Sequence, residues 1–315
     1  MYHIFDISLE SDLHLPELSE GPARETIINI KSGADITSEQ YEPEYFHEWQ
    51  YTDGETCMLF AKIGDSNLLR FPEMIDFLIS ASVDTVLYYP ISNIPEETIR
   101  HLILDQVIPR ILVQQGHLVL HASAVQLQDG KAVVFLGDTG WGKSTLASSY
   151  YENGGQLVTD DCLLIKIVDN KVFCVPNYYG LRLYPDSAEA IFKTHKQYKP
   201  VAHYTSKERL ILHSIESKTK GLIPISSIFL LSDPSEECLD SVNVQKVEGA
   251  EKIMAIVKQS FLMNIKDKTV VSKQFRNASE VTELSPAIFR LSYTRDYELL
   301  TEVRDAVQTI ATNII

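Results

Sequence analysis

Cysteine is scarce and unpatterned in this chain. Only 4 occur in 315 residues: Cys57, Cys162, Cys174 and Cys238. No pair has C-x-x-C spacing, which excludes a local redox motif or zinc knuckle and leaves reduced, partly buried thiols as the reading. The 9 histidines form no H-E-x-x-H or H-x-E pattern, so a histidine-based metal site has no local support. No apolar run reaches the roughly 18 residues needed to cross a bilayer, and no membrane partner is expected. Met1–Asp6 has no basic segment leading into an apolar one, so no signal peptide is expected and the anticipated location is cytoplasmic. At 44% hydrophobic and 23% charged residues, the chain is neither disordered, collagen-like nor of low complexity.

Positive charge is also in short supply. The net charge is −15, and it is unevenly placed. Residues 1–110 hold 20 acids and 6 bases, whereas residues 111–315 hold 23 acids and 22 bases. This step marks a domain boundary and argues against nucleic acid as a partner, which wants a basic face. One local exception runs from Lys193 to Lys220, with Lys196, Lys199, Lys207, Arg209 and Lys218 against Glu208 and Glu216. It reads either as a solvated face or as a docking surface for phosphate or an acidic peptide.

The first 90 residues read as mostly strand, at Tyr2–Leu9, Thr26–Ile30, Thr56–Ile63 and Thr85–Tyr89, with turns such as Lys31–Asp35. A helix follows from near Pro95 to Gly116, with a kink predicted at Pro109. Beyond it the character changes. Strands are predicted at Leu118–Gln126, Lys131–Leu136, Cys162–Val168, Lys171–Val175, Ser227–Leu231 and Ala287–Tyr293. Helices are predicted at Lys143 to about Asn153, Asp186–Lys193, Gly249–Phe261 and Asp296–Ala311. The expected fold class is α/β (α+β overall), with a mainly β domain over residues 1–110 and a P-loop domain over residues 111–315.

Gly137-Asp138-Thr139-Gly140-Trp141-Gly142-Lys143-Ser144 fits G-x-x-x-x-G-K-[ST], the phosphate-binding P-loop. Backbone N–H groups surround phosphates only where side chains stay clear, and glycine permits that path. The following helix aims its N-terminal N–H groups at the same phosphates. Lys143 is expected on the β- and γ-phosphates and Ser144 on Mg²⁺. An apolar strand before the loop and an amphipathic helix after it supply the required order.

Asp160-Asp161 follows. Adjacent residues leaving a strand point apart. One carboxylate is then free for a metal and the other for an attacking hydroxyl, the two tasks a kinase needs done. Two neighbouring carboxylates also raise one pKa towards that of a useful base. The alternative is a surface Asp-Asp turn. His121, in Leu118-Val119-Leu120-His121-Ala122-Ser123-Ala124, is a third candidate, or else a core histidine. Arg182, in Gly180-Leu181-Arg182-Leu183-Tyr184-Pro185, has the planar fork that suits phosphate oxygens; a surface arginine is the rival reading. Lys207 and Arg209 are weaker candidates of the same kind.

This ordered set, His121, the loop through Thr145, then Thr159-Asp160-Asp161, resembles the HPr kinase/phosphorylase family and covers about residues 116–165. The resemblance implies Asp160 as general base towards a protein serine, with His121 assisting it. It places Asp161 near the metal, with Lys143 and Ser144 holding ATP and Mg²⁺. The bifunctional family carries a Glu-Ile-Arg-Gly signature further on. Here Asn177 stands at its glutamate and Tyr179 at its arginine, a departure that touches phosphorylase activity and one metal contact. That family forms hexamers, which leaves a homo-oligomer open. Across the whole chain, short motifs resemble the precursor-peptide kinases of lasso peptide clusters: Phe5-Asp6-Ile7 with Ser11–Leu18, Gly116–Ser123, Gly180–Ser187 and Arg295-Asp296-Tyr297. That likeness implies a C-terminal serine of a precursor peptide as acceptor.

The expected function is therefore an ATP- and Mg²⁺-dependent kinase acting on a serine of a peptide or small protein. Rivals are a kinase of a small hydroxylated molecule, a nucleotide-binding regulator without transfer, and a plain NTPase. For the last, Asp233, after Ile228–Ser232, is the nearest acid of Walker-B type.

Overall fold

The computed structural model describes residues 1–33, 43–50, 54–178, 180–192, 197–210, 221–236, 241–284 and 287–313. Cys238, Tyr179, Lys193, Lys196, Glu216, Lys218 and Lys220 lie outside the described residues, as does the end of the turn expected at Lys31–Asp35. The chain divides into two units. The first comprises Met1–Gly116 with Ala202–Tyr204 and Leu262–Ser272; the second holds His117–Val201, Thr205–Phe261 and Lys273–Ile315. The charge step at residue 110 falls inside the helix Ile108–Gln114.

Among its described residues the first unit has Tyr2–Ile4 (β1), Ile7–Ser11 (β2), Ser19–Glu20 (β3), Ile27–Ser32 (β4), Glu44–Gln50 (β5), Thr56–Ile63 (β6), Ser66–Phe71 (β7), Ile75–Ile79 (β8) and Thr85–Pro90 (β9). They form one sheet in the order β3-β1-β2-β4-β9-β8-β7-β6-β5. The strand predicted over Tyr2–Leu9 is two strands, because Phe5 adopts φ 50° and turns the chain. The predicted helix is Glu96–Leu102 (α1), a π-turn at Ile103–Val107, and Ile108–Gln114 (α2). A proline ring collides with the carbonyl four residues back, and the wider π-turn relieves that clash ahead of Pro109. Arg110 on this helix is fully buried, donates to Gln106 and lies 5.4 Å from the Trp49 ring and 5.6 Å from the Phe60 ring.

The second unit is a mixed α/β fold. Its strands are Leu118–Leu120 (β10), Ala122–Gln126 (β11), Ala132–Leu136 (β12), Gln156–Thr159 (β13), Leu163–Val168 (β14), Lys171–Val175 (β15) and Ile223–Leu231 (β19), ordered β10-β14-β15-β19-β12-β11-β13. Ala287–Tyr293 (β21) runs parallel beside β19, and Val242–Lys246 (β20) pairs with it. Arg182–Leu183 (β16), Tyr198–Pro200 (β17) and Glu208–Leu210 (β18) form a small separate sheet.

β12 explains why the P-loop is held firmly. Its five residues are all fully buried. Val133 and Phe135 face a core with Leu146, Ala147 and Tyr150 of helix Lys143–Glu152 (α3) and with Val303 and Val307 of helix Leu300–Asn313 (α7). Ala132, Val134 and Leu136 face the opposite core, with Ile256 and Val257 of helix Ala250–Lys258 (α5) and Val281 of helix Lys268–Leu284 (α6). A strand covered on both faces reads as a continuous apolar run rather than an alternation, as Ala-Val-Val-Phe-Leu does. Helix Pro185–Ile191 (α4) is shorter than predicted and α5 stops at Lys258, where Gln259 leaves helical geometry. The 17-residue α6 was not foreseen. No described helix is long and apolar enough to cross a membrane.

Candidate active site

β12 delivers the chain directly into the loop of residues 137–142. Gly140 and Gly142 adopt φ 84° and 94°, left-handed backbone that costs side-chain-bearing residues strain. Gly142 is the residue from which α3 starts, so the backbone N–H groups of Lys143, Ser144 and Thr145 open the helix free of intrahelical partners. Lys143 is buried at 4% exposure, and its Nζ donates to the carbonyls of Gly137 (2.8 Å) and Asp138 (3.1 Å). Burial pushes its ammonium down to about 8, with Asp161 and Asp160 holding it up against that fall and Lys207 adding to it. The loop lysine and the aspartate pair therefore share one electrostatic environment.

The pair itself is split by the backbone. Asp161 has φ 67°, the turn being closed by Cys162 N–H on the Asp160 carbonyl (2.9 Å) and Thr159 Oγ1 on the Cys162 carbonyl (2.5 Å). The two carboxylates consequently meet different partners. Asp160, 4% exposed, accepts from Ser123 Oγ (2.6 Å) at one oxygen and from the Arg182 backbone N–H (3.1 Å) at the other. Burial, then the neighbouring Asp161 charge, raises its pKa. Asp161 accepts from Arg182 Nη1 (3.0 Å), and its other oxygen lies 3.6 Å from His121 Nε2. Burial opposes its ionisation, but His121, Lys207 and Arg182 outweigh that and hold its carboxyl well below the usual range. The result is one carboxyl suited to take a proton and one that stays charged.

His121 does not lie within a continuous strand, as expected, but at the break between β10 and β11. Its backbone N–H leaves the ladder for the Gln259 carbonyl (2.8 Å). Burial lowers the pKa of its ring, Lys143 lowers it further, and Asp161 pulls the other way.

No family model matches the chain, and no curated protein matches it. Among solved structures, the Hpr(Ser) kinase/phosphatase from Coxiella burnetii is similar over 61% of this chain and 97% of its own, with 13% identity and a TM-score of 0.30.

Arg182 is 1% exposed, and its guanidinium is engaged with Asp161 and Tyr178. It contacts both aspartates, one through the side chain and one through the backbone. Lys207 supplies a further cation: its charge is felt by Asp161, His121 and Lys143, and it stands 5.4 Å from the Tyr184 ring. Arg209 pairs in register with Arg182 across β16 and β18. Asn177 is 6% exposed, and its side-chain amide has no hydrogen-bond partner among the described residues. Asp233 is taken up by a turn, accepting from Ser235 N–H (2.8 Å) and Oγ (2.7 Å).

Sequence reasoning assigned no role to three supports. Ser123 is the buried donor to Asp160; its signal in the sequence was a small polar residue two positions from His121, at the end of the Gly116–Ser123 motif. Arg295 donates to the carbonyls of Trp141 (3.2 Å), Tyr293 (2.8 Å) and Ser232 (2.7 Å), tying the loop to the ends of β19 and β21. Lys258 and Gln259 reach Asp138 from more than 100 residues away, and no local pattern announces that contact.

Among the described residues no group of three or more His, Cys, Asp or Glu side chains is placed to hold a metal. Mg²⁺ bound with a nucleotide needs only one or two protein oxygens, the rest coming from phosphate and water. An ionised Asp161 and the Ser144 hydroxyl are a donor set of that kind.

Proposed function

We propose that this protein is an ATP- and Mg²⁺-dependent kinase that transfers a phosphoryl group to a serine hydroxyl of a peptide or small protein. The observation that carries the reading is the split aspartate pair within electrostatic reach of the P-loop lysine.

In this reading the α3 N-terminus and Lys143 bind the phosphates, and Ser144 and Asp161 hold Mg²⁺, which neutralises charge on the phosphates when bound. Asp160 takes the proton of the acceptor hydroxyl at its carboxylate oxygen. Ser123 and the Arg182 N–H fix the direction of that carboxylate. His121 orients Asp161, and Lys207 adds positive charge on the phosphoryl side. Most of the rate acceleration then comes from positioning and charge neutralisation.

The C-terminal serine of a lasso-type precursor peptide is the acceptor that the motif resemblance favours. The acidic first unit suits a basic segment of such a peptide. The same machinery would serve a small alcohol, so the test includes one. Intact mass spectrometry would follow the chain with Mg²⁺, ATP and a precursor peptide ending in serine, its alanine-ended counterpart, or free serine. The expected result is one phosphate on the serine-ended peptide only, lost in Asp160→Asn while nucleotide binding persists. Transfer to free serine alone would replace the acceptor class. Nucleotide binding indifferent to Asp160→Asn, with no transfer to any acceptor, would leave a regulator.

A further inference from the structure

The phosphate loop carries a carboxylate of its own, Asp138, and a negative charge beside a polyphosphate opposes binding. Each of its oxygens accepts one hydrogen bond. One oxygen accepts from Lys258 Nζ at 2.8 Å and the other from Gln259 Nε2 at 3.1 Å. The Lys258 ammonium also stands 5.6 Å from the ring of Trp141, in the same loop.

These residues continue towards His121. Gln259 is 5% exposed, and its carbonyl accepts the His121 N–H at 2.8 Å. Ser260 bridges to Leu120, and Phe261 N–H donates to the Val119 carbonyl. Phe261 sets its ring edge-on to that of His121, 6.2 Å between centroids. Four consecutive residues thus touch the nucleotide loop on one side and the histidine strand on the other. The Lys258–Asp138 pair is largely exposed, 62% and 41% at the two side chains, and exposed pairs contribute little to folding. Its placement therefore bears on the loop rather than on stability.

We propose that Lys258 and Gln259 are positioning residues for nucleotide use: they neutralise Asp138 and hold it aside, and Gln259 fixes the loop relative to His121. Neither touches the reacting atoms. The inference rests on the ATP-dependent reading above and extends it to residues that no motif marks.

The test is a double-mutant cycle on the full chain, with Mg·ADP affinity measured by calorimetry and transfer kinetics alongside. Lys258→Ala is expected to weaken Mg·ADP about fivefold, the size of a favourable exposed charge contact, with an unchanged melting temperature. In an Asp138→Asn background the same change is expected to have no effect, because the charge to be neutralised is gone. Lys258→Arg restores affinity. Gln259→Leu keeps its carbonyl on His121 but cuts the tie to the loop, and is expected to lower kcat more than it raises KM for ATP. Equal effects of Lys258→Ala in both backgrounds overturn the proposal, as does an affinity within twofold of the parent. Loss of Mg²⁺-dependent transfer in Asp138→Asn alone also overturns it, since Asp138 would then serve the metal. A parent chain that binds no nucleotide overturns the kinase reading itself, a result distinguishable from all of these.

Discussion

Ser123→Ala probes the proposed base, Asp160, directly. The Ser123 hydroxyl donates to Asp160 over 2.6 Å, and both residues are buried. A hydrogen bond to a charged group contributes about 1.5–3 kcal/mol, and one pKa unit corresponds to about 1.36 kcal/mol. Removing the donor therefore raises the Asp160 pKa further, beyond the elevation that burial and Asp161 already impose. A general base works only when deprotonated, so the acidic limb of kcat/KM against pH moves to higher pH, and on that limb the rate falls by about ten- to a hundredfold. Activity near neutrality falls, and much of it returns on the alkaline side. The assay is the pH profile of phosphoryl transfer for parent and variant, with the alanine variant's melting temperature as a folding control. A rate reduced equally at every pH, with the acidic limb unmoved, would falsify the assignment of Asp160 as base and leave Ser123 a packing residue.

Other outcomes follow from the same geometry. Burial holds Lys143 down near 8, so its ammonium costs the free protein stability at pH 7; Lys143→Met should raise the unfolding free energy from urea titration by about 1–3 kcal/mol, while abolishing nucleotide binding. For the same reason Mg·ADP affinity of the parent should decline as pH rises through 8, and an unchanged affinity at pH 9 would count against Lys143 as a phosphate ligand. Gly142→Ala forces a side chain into φ 94° with Tyr293 Oη 3.4 Å from the new carbon; a loss of about 1–2 kcal/mol and weaker nucleotide binding are expected in denaturation and calorimetry. Phe135→Ala empties the core between α3 and α7 and should lower stability by about 3–5 kcal/mol in urea unfolding. Cys162 and Cys174 are buried, and burial pushes the Cys174 thiol far up, so both should label with a thiol reagent only on unfolding.

The P-loop motif and the aspartate pair were legible because their pattern is local: eight consecutive residues, a strand before and a helix after. Element type was likewise readable where patterning was strong, as at β21, where the predicted and observed bounds coincide. What escaped was of two kinds. Helix α6 buries only Gln274, Ala278, Val281 and Thr282, too thin and too polar a stripe to register as periodicity. The contacts of Asp138 with Lys258 and Gln259, and of Asp160 with Ser123, join positions 120, 121 and 37 residues apart, and such contacts exist only once the sheet has formed. Arg182 was readable as a cation near the site. Its burial against Asp161 was not, because the turn that brings them together depends on Asp160 accepting the Arg182 backbone N–H.

The turn at Asp161 has a meaning for anyone who would borrow this chemistry. Two aspartates written side by side do not constitute the device. An ordinary extended backbone would send them to opposite faces of a sheet, one into the core and one into solvent. The transferable unit runs from Thr159 to Cys162, a hydroxyl and an amide clasping a residue whose φ of 67° would suit glycine better. An engineer who grafts Asp-Asp onto another scaffold without that clasp would obtain one acid on each face, not two that meet the same arginine. That the two meet different partners is decided by the backbone, and it would have to be imported along with the side chains.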